Sequence, residues 1–174
     1  MVQEEIIPAL DIVGQGFENK TVYLPQLLMS AEAAKYAFEK IKAAMPGGAS
    51  DKCDFVIATV KGDIHDIGKN IVKLLLENYG FKVTDLGRDV APETVAEKVV
   101  ELHAPLAGLS ALMTTTVPAM EETIKLLREK APWCKVVVGG AVLNQEYADR
   151  IGADKYAKDA MESVRYAEEV NASL

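Results

Sequence analysis

Three observations predict a doubly wound, five-stranded parallel α/β sandwich preceded by two amphipathic helices. A Pro/Gly break, PGGAS at 46–50, divides the chain. Before it, apolar residues recur at helical spacing. After it, short, continuously apolar runs alternate with amphipathic segments, and strands apolar at every position are covered on both faces, as in parallel sheets. Residues 1–46 are therefore expected to form a helical front part, 47–50 a linker, and 51–174 the sheet domain.

In the front part, Ile6, Leu10, Val13 and Phe17 define one amphipathic helix. Leu27, Ala31, Ala34, Phe38 and Ile41 define a second, with Pro25 suited to its first turn. Two such helices cannot hide both apolar stripes by themselves. In the second part the strand candidates are Phe55–Val60, Phe81–Leu86, Leu106–Leu112, Lys135–Val138 and a short run near Lys155–Ala157. The helical patterns between and after them are marked by Ile71, Leu74 and Leu75; by Val95, Val99 and Leu102 behind Pro92; by Val117, Met120, Ile124 and Leu127; and by the segments NQEYADRIG and DAMESVRYAEEV. Five such units give a flavodoxin-like or Rossmann-like sheet of order 2-1-3-4-5.

Composition excludes several functions. A formal charge of −7 argues against nucleic-acid binding, which needs a Lys/Arg surplus. No apolar stretch approaches the roughly 18 residues of a membrane span. The acidic start, MVQEE, is unlike a signal peptide, and Cys53 and Cys134 have no framework spacing. A cytoplasmic protein with reduced thiols is expected.

Ligands of such sheets sit beyond the carboxyl ends of the strands, where strand order reverses. The loops at that point are KGDIHDIGKN, after the first strand, and SALMTTTV, after the third. The first holds His65, one of only two histidines. It is not a nucleotide phosphate loop, because Gly62 and Gly68 enclose five residues, Asn70 stands where a hydroxyl is needed, and Asp63 and Asp66 repel phosphate. A flavin phosphate would meet the same carboxylates. A phospho-acceptor would need an Asp where Ser110 and Leu112 stand. His103 falls at a helix end elsewhere, so a zinc site lacks ligands. Two readings stay open. In one, Asp63 and Asp66 cap a helix and His65 is an ordinary loop residue. In the other, His65 is the single protein ligand to a metal that arrives with its own cofactor, and Asp63 fixes the imidazole tautomer.

The pattern Asp63-x-His65-x-x-Gly68, followed by Ser110-x-Leu112 and then Gly139-Gly140, resembles the signature of cobalamin-binding domains, each element ending an expected strand. The text VIATVKGDIHDIGKNIV is similar to the cobalamin module of methionine synthase and of related corrinoid methyl-transfer proteins. VGQGFENKTVYLPQLL is similar to the second half of their four-helix cap. The resemblance implies cobalamin (methylcobalamin or a related corrinoid), bound with its benzimidazole off the cobalt and His65 as lower axial ligand. Asp63 would accept the second imidazole proton, and Thr116 would continue the relay where methionine synthase has serine. Asp66, Ile67 and Gly68 would belong to the same binding loop, with Ser110, Leu112 and Thr114 beside the nucleotide tail. Gly68, Gly139 and Gly140 would admit the tail where a Cβ would collide, and Phe17 and Leu24 would shield the upper face. The implied function is a methyl carrier between a donor and an acceptor such as homocysteine or another thiol or a pterin. It would work with methyltransferase domains or subunits and would not turn over alone. The alternative is the cobalamin subunit of an adenosylcobalamin-dependent mutase. Residues 1–46 would be a partial helical cap, about half of the family's four-helix bundle, so the chain would be a fragment, or two chains would combine their helix pairs into one bundle as a homodimer.

Overall fold

A computed structural model describes residues 7–44 and 52–174. The expected linker at 47–50 and the expected ends of the cap lie outside the described residues. Two helices come first, α1 (Ile7–Glu18) and α2 (Leu24–Ala44). Then follow β1 (Asp54–Thr59), α3 (Ile67–Asn78), β2 (Lys82–Asp85), α4 (Pro92–Leu102), β3 (Leu106–Ser110), α5 (Val117–Lys130), β4 (Lys135–Gly139), α6 (Gln145–Arg150), β5 (Lys155–Tyr156) and α7 (Ala160–Ala172). The strands pair in parallel in the order β2-β1-β3-β4-β5, as the sequence pattern predicts.

Alternation along β1 divides the core. Val56, Ala58 and Val60 face one side, with Val95 and Val99 of α4, Met120, Ile124 and Leu127 of α5 and Ala148 of α6. Phe55 and Ile57 face the other, with Leu75 and Leu76 of α3 and Met161, Val164 and Ala167 of α7. Every one of these side chains is buried, each contributing on the order of 1–3 kcal/mol for the larger ones. The cap joins the second cluster, because Leu27 and Ala34 of α2 are buried in it. On α1, Gly14 lies where a Cβ would press on the Met161 side chain, so α1 runs close against α7. The front helices are thus covered from below by the sheet domain.

Three strands stop earlier than the apolar pattern suggests, β2 at Asp85 rather than Leu86. β1 ends at Thr59, and Val60 only bridges to Val90. β3 ends at Ser110 rather than Leu112: Ala111 N still donates to Gly139 O at 3.2 Å, but the two amides beyond it leave the ladder. Leu112 N and Met113 N both turn to the Asp63 carboxylate. The departure from the strand therefore builds part of the site.

Candidate functional site

The loop between β1 and α3 opens with a tight turn. Asp63 N donates to Val60 O at 3.1 Å, and Gly62 takes φ +83°, a conformation natural for glycine in the third position of such a turn. The turn sends the Asp63 side chain inward, where it is fully buried. Asp63 Oδ1 accepts from His65 N at 3.0 Å and pairs with His65 Nδ1 at 2.7 Å. Asp63 Oδ2 accepts from Leu112 N at 2.7 Å, Met113 N at 3.3 Å and Thr116 Oγ1 at 2.9 Å. Burial pushes this carboxyl up, but the His65 and Leu112 amides, the imidazole and the Thr116 hydroxyl outweigh it and hold it well below the usual carboxylate range. A carboxylate fixed as an acceptor on Nδ1 selects the Nδ1–H tautomer, leaving the Nε2 lone pair to a ligand. The imidazole side chain is 44% exposed, in contrast to its buried partner.

Thr116 ends a short 3-10 turn, Thr114–Thr116, that leads into α5. Its single hydroxyl proton has two acceptors in reach, Asp63 Oδ2 and Met113 O at 2.8 Å. Asp66 is the N-cap residue of α3 but makes no side-chain cap bond, and Asp63 is spent on His65. Neither aspartate caps the helix through its side chain.

Above this cluster lies a crevice of about 680 Å³, within the range of small-molecule sites. His65, Asp66, Ile67 and Gly68 line it from the β1–α3 loop, Ser110 and Leu112 from the end of β3, and Gly139 and Gly140 from the end of β4. Phe17 and Leu24 line it from the cap. Thr116 and Asp63 stand behind His65 rather than in the wall. Thr114 is exposed and is not among the residues that line the crevice. The short turn points its neighbour Thr116, not Thr114, inward.

The crevice also has a floor that the motif residues do not announce. Gly108 of β3, Tyr156 and Ala157 at β5, and Ala160 and Ser163 of α7 line it, extending the cleft from His65 toward the far edge of the sheet. Small residues at 157, 160 and 163 leave the room, but small size carries no chemical signature by which a sequence pattern could single them out. The three glycines differ. At Gly68 a Cβ would meet nothing within 4 Å and would project into open space. At Gly139 it would lie 3.4 Å from the Ala157 carbonyl oxygen. At Gly140, with φ +144°, it would collide with the Ala111 carbonyl oxygen, so the chain itself demands glycine there.

The donor set limits what the cleft can hold. Among the described residues no three His, Cys, Asp or Glu converge on a metal position. A metal at His65 must therefore bring most of its own ligands, as a corrin ring does, and the long cleft with its small-residue floor can take an attached tail. His103, the other histidine, is at the C-terminus of α4 in the left-handed conformation and stacks on Trp133 with ring centroids 4.3 Å apart, remote from the cleft. Among the described residues no helix is long and apolar enough to cross a membrane.

A B12 binding domain family model matches residues 54–165, and a second model, also described as a B12 binding domain, matches residues 1–42. Over 174 aligned positions the chain is 43% identical to dimethylamine corrinoid protein 1 of Methanosarcina acetivorans, covering 98% of this chain and 82% of that protein. It superposes on a cobalamin-binding protein from Desulfitobacterium hafniense with TM-score 0.85 and 32% identity, over 97% of this chain and 82% of the other. It is also similar to a chain of the methanol:cobalamin methyltransferase complex from Methanosarcina barkeri, with TM-score 0.86 and 30% identity, over 99% of this chain and 67% of that one. Methionine synthase is the looser comparison, since these relatives are corrinoid proteins and methyltransferase components. The chain belongs to the B12 binding domain family, as a cobalamin-binding module.

Proposed function

We propose that this protein is the methyl-carrying corrinoid subunit of a methyltransferase system, with His65 as lower axial ligand to cobalt and the benzimidazole displaced into the cleft. The bound corrinoid supplies the cobalt on which a methyl group travels from donor to acceptor. The residues do the rest. His65 presents Nε2. Asp63 holds the imidazole in one tautomer through the 2.7 Å Nδ1 contact. Thr116 orients Asp63, and Leu112 N and Met113 N keep the carboxylate charged. Phe17 and Leu24 give the cleft an apolar roof that excludes water from the reacting face. Gly68 and Ser110 lie along the lining where a tail would pass.

The observation that carries this reading is the buried Asp63 bridging His65 and Thr116 beside a 680 Å³ cleft where, among the described residues, no three metal-ligating side chains converge. The names of the relatives favour a carrier over a mutase subunit, and they point to a methylated amine as the ultimate donor and to separate methyltransferase subunits as partners. A thiol is the acceptor class we propose.

A single-turnover assay tests the function. Cobalamin-loaded, reduced protein is mixed with a dimethylamine methyltransferase and dimethylamine, or with a methanol-specific enzyme and methanol, and methylation is read from the corrinoid absorption. The proposal expects methylation with the amine pair. Methylation by neither, together with activity as a subunit in a carbon-skeleton mutase assay, would refute it.

A further inference from the structure

The turn that aims Asp63 is gripped by a residue from a different loop. Asp89 lies between β2 and α4. Its N–H donates to Asp63 O at 3.0 Å, and its Oδ1 accepts from Gly62 N at 2.7 Å. One residue thus holds the Gly62–Asp63 segment at both an amide and a carbonyl. Strand pairing delivers it there, since Leu86 N donates to Ile57 O, Thr59 N to Gly87 O, and Val90 N to Thr59 O, at 2.9, 2.9 and 3.1 Å.

Asp89 itself has φ +55°, a left-handed backbone that a glycine would adopt without cost. Gly62 and Asp89 are both exposed, so water could satisfy the Gly62 amide if no side chain were offered. What a strained carboxylate gains here over a glycine is the bond to Gly62. Beyond that bond lie the turn, the Asp63 carboxylate and the 2.7 Å contact to His65 Nδ1.

We infer that Asp89 is a positioning residue for the axial histidine. It acts through the Gly62–Asp63 peptide to keep the Asp63 carboxylate on Nδ1, and so keeps the His65 tautomer whose Nε2 is free for a metal. The link to metal binding rests on the reading of His65 as a ligand; the link to the tautomer does not.

Two variants separate the parts. Asp89→Asn keeps an Oδ1 acceptor and tolerates the left-handed backbone. Asp89→Gly keeps that backbone and the N–H to Asp63 O while deleting only the side-chain acceptor. In apo-protein, at a pH where the imidazole is neutral, nitrogen NMR of His65 reads the ratio of Nδ1–H to Nε2–H tautomers, and hydrogen exchange reads the Gly62 amide. Asp89→Gly is expected to speed Gly62 exchange about tenfold, the scale of one lost hydrogen bond, and to raise the Nε2–H tautomer several-fold. Asp89→Asn should match the parent in both. After loading with cobalamin, the fraction lacking imidazole ligation should rise in Asp89→Gly alone. An unchanged tautomer ratio in Asp89→Gly, even with faster Gly62 exchange, would reduce Asp89 to a loop staple and overturn the inference. A defect in Asp89→Asn equal to that of Asp89→Gly would overturn it too. If the parent itself shows no imidazole on cobalt, the ligand reading fails, and the apo tautomer ratios still decide the role of Asp89.

Discussion

Asp63 is the residue on which the local chemistry turns, because two oxygens of one buried side chain serve five donors. Asparagine cannot do this. Whichever way its amide points, an NH₂ faces donors, either the His65 pair or the Leu112, Met113 and Thr116 group. An unsatisfied buried group costs about 1–3 kcal/mol, so Asp63→Asn should lower stability by about 3 kcal/mol at pH 7, measured by urea unfolding. The acid limb carries a second expectation. The folded carboxyl titrates below its unfolded value, which is about 3.9. The stability it contributes is therefore complete above that value and is lost as pH falls through the folded one. Asp63→Asn should consequently lose less stability than the parent between pH 7 and pH 3. Equal losses in the two proteins would contradict this assignment.

At the scale of elements, the loops after β1, β3 and β4 converge because parallel strands place their carboxyl ends together. The strands and the helices after PGGAS were legible as apolar runs and helical stripes, and the His65 loop was legible as an odd pairing of acid and imidazole at a strand end. What the sequence withheld are contacts across elements. The turn of Leu112 and Met113 toward Asp63, the floor built by Ala157, Ala160 and Ser163, and the reach of Asp89 to Gly62 depend on strand register and loop path, which no local pattern encodes. Two glycines separate fold from function. Gly140→Ala should destabilise by several kcal/mol, since the new Cβ strikes the Ala111 carbonyl at a left-handed φ. Gly68→Ala, near the start of α3, should stabilise by about 0.5–1 kcal/mol. It should nonetheless weaken cobalamin binding, because its methyl enters the cleft. Thermal midpoints of the apo-proteins and cobalamin titrations check both. Undiminished binding by Gly68→Ala would remove that residue from the site.

Across the whole molecule, the cap is seated on the sheet domain through Leu27, Ala34 and Gly14, yet it keeps large apolar side chains exposed. Ile12, Tyr23, Met29 and Tyr36 are 63–71% exposed there. Met29→Lys combined with Tyr36→Lys should leave cobalamin binding intact, because neither side chain lines the cleft. A cobalamin titration checks this, and weakened binding would contradict the placement of the site.

The central claim is a bond between the position-65 imidazole and cobalt. The most direct measurement is electron paramagnetic resonance of the cob(II)alamin-loaded protein with its histidines labelled with nitrogen-15. The parent should show hyperfine splitting that changes with the label, and His65→Gly should keep the corrinoid but lose that splitting. A splitting unaffected by the label, reporting benzimidazole still on the metal, or one that survives His65→Gly, would contradict the account.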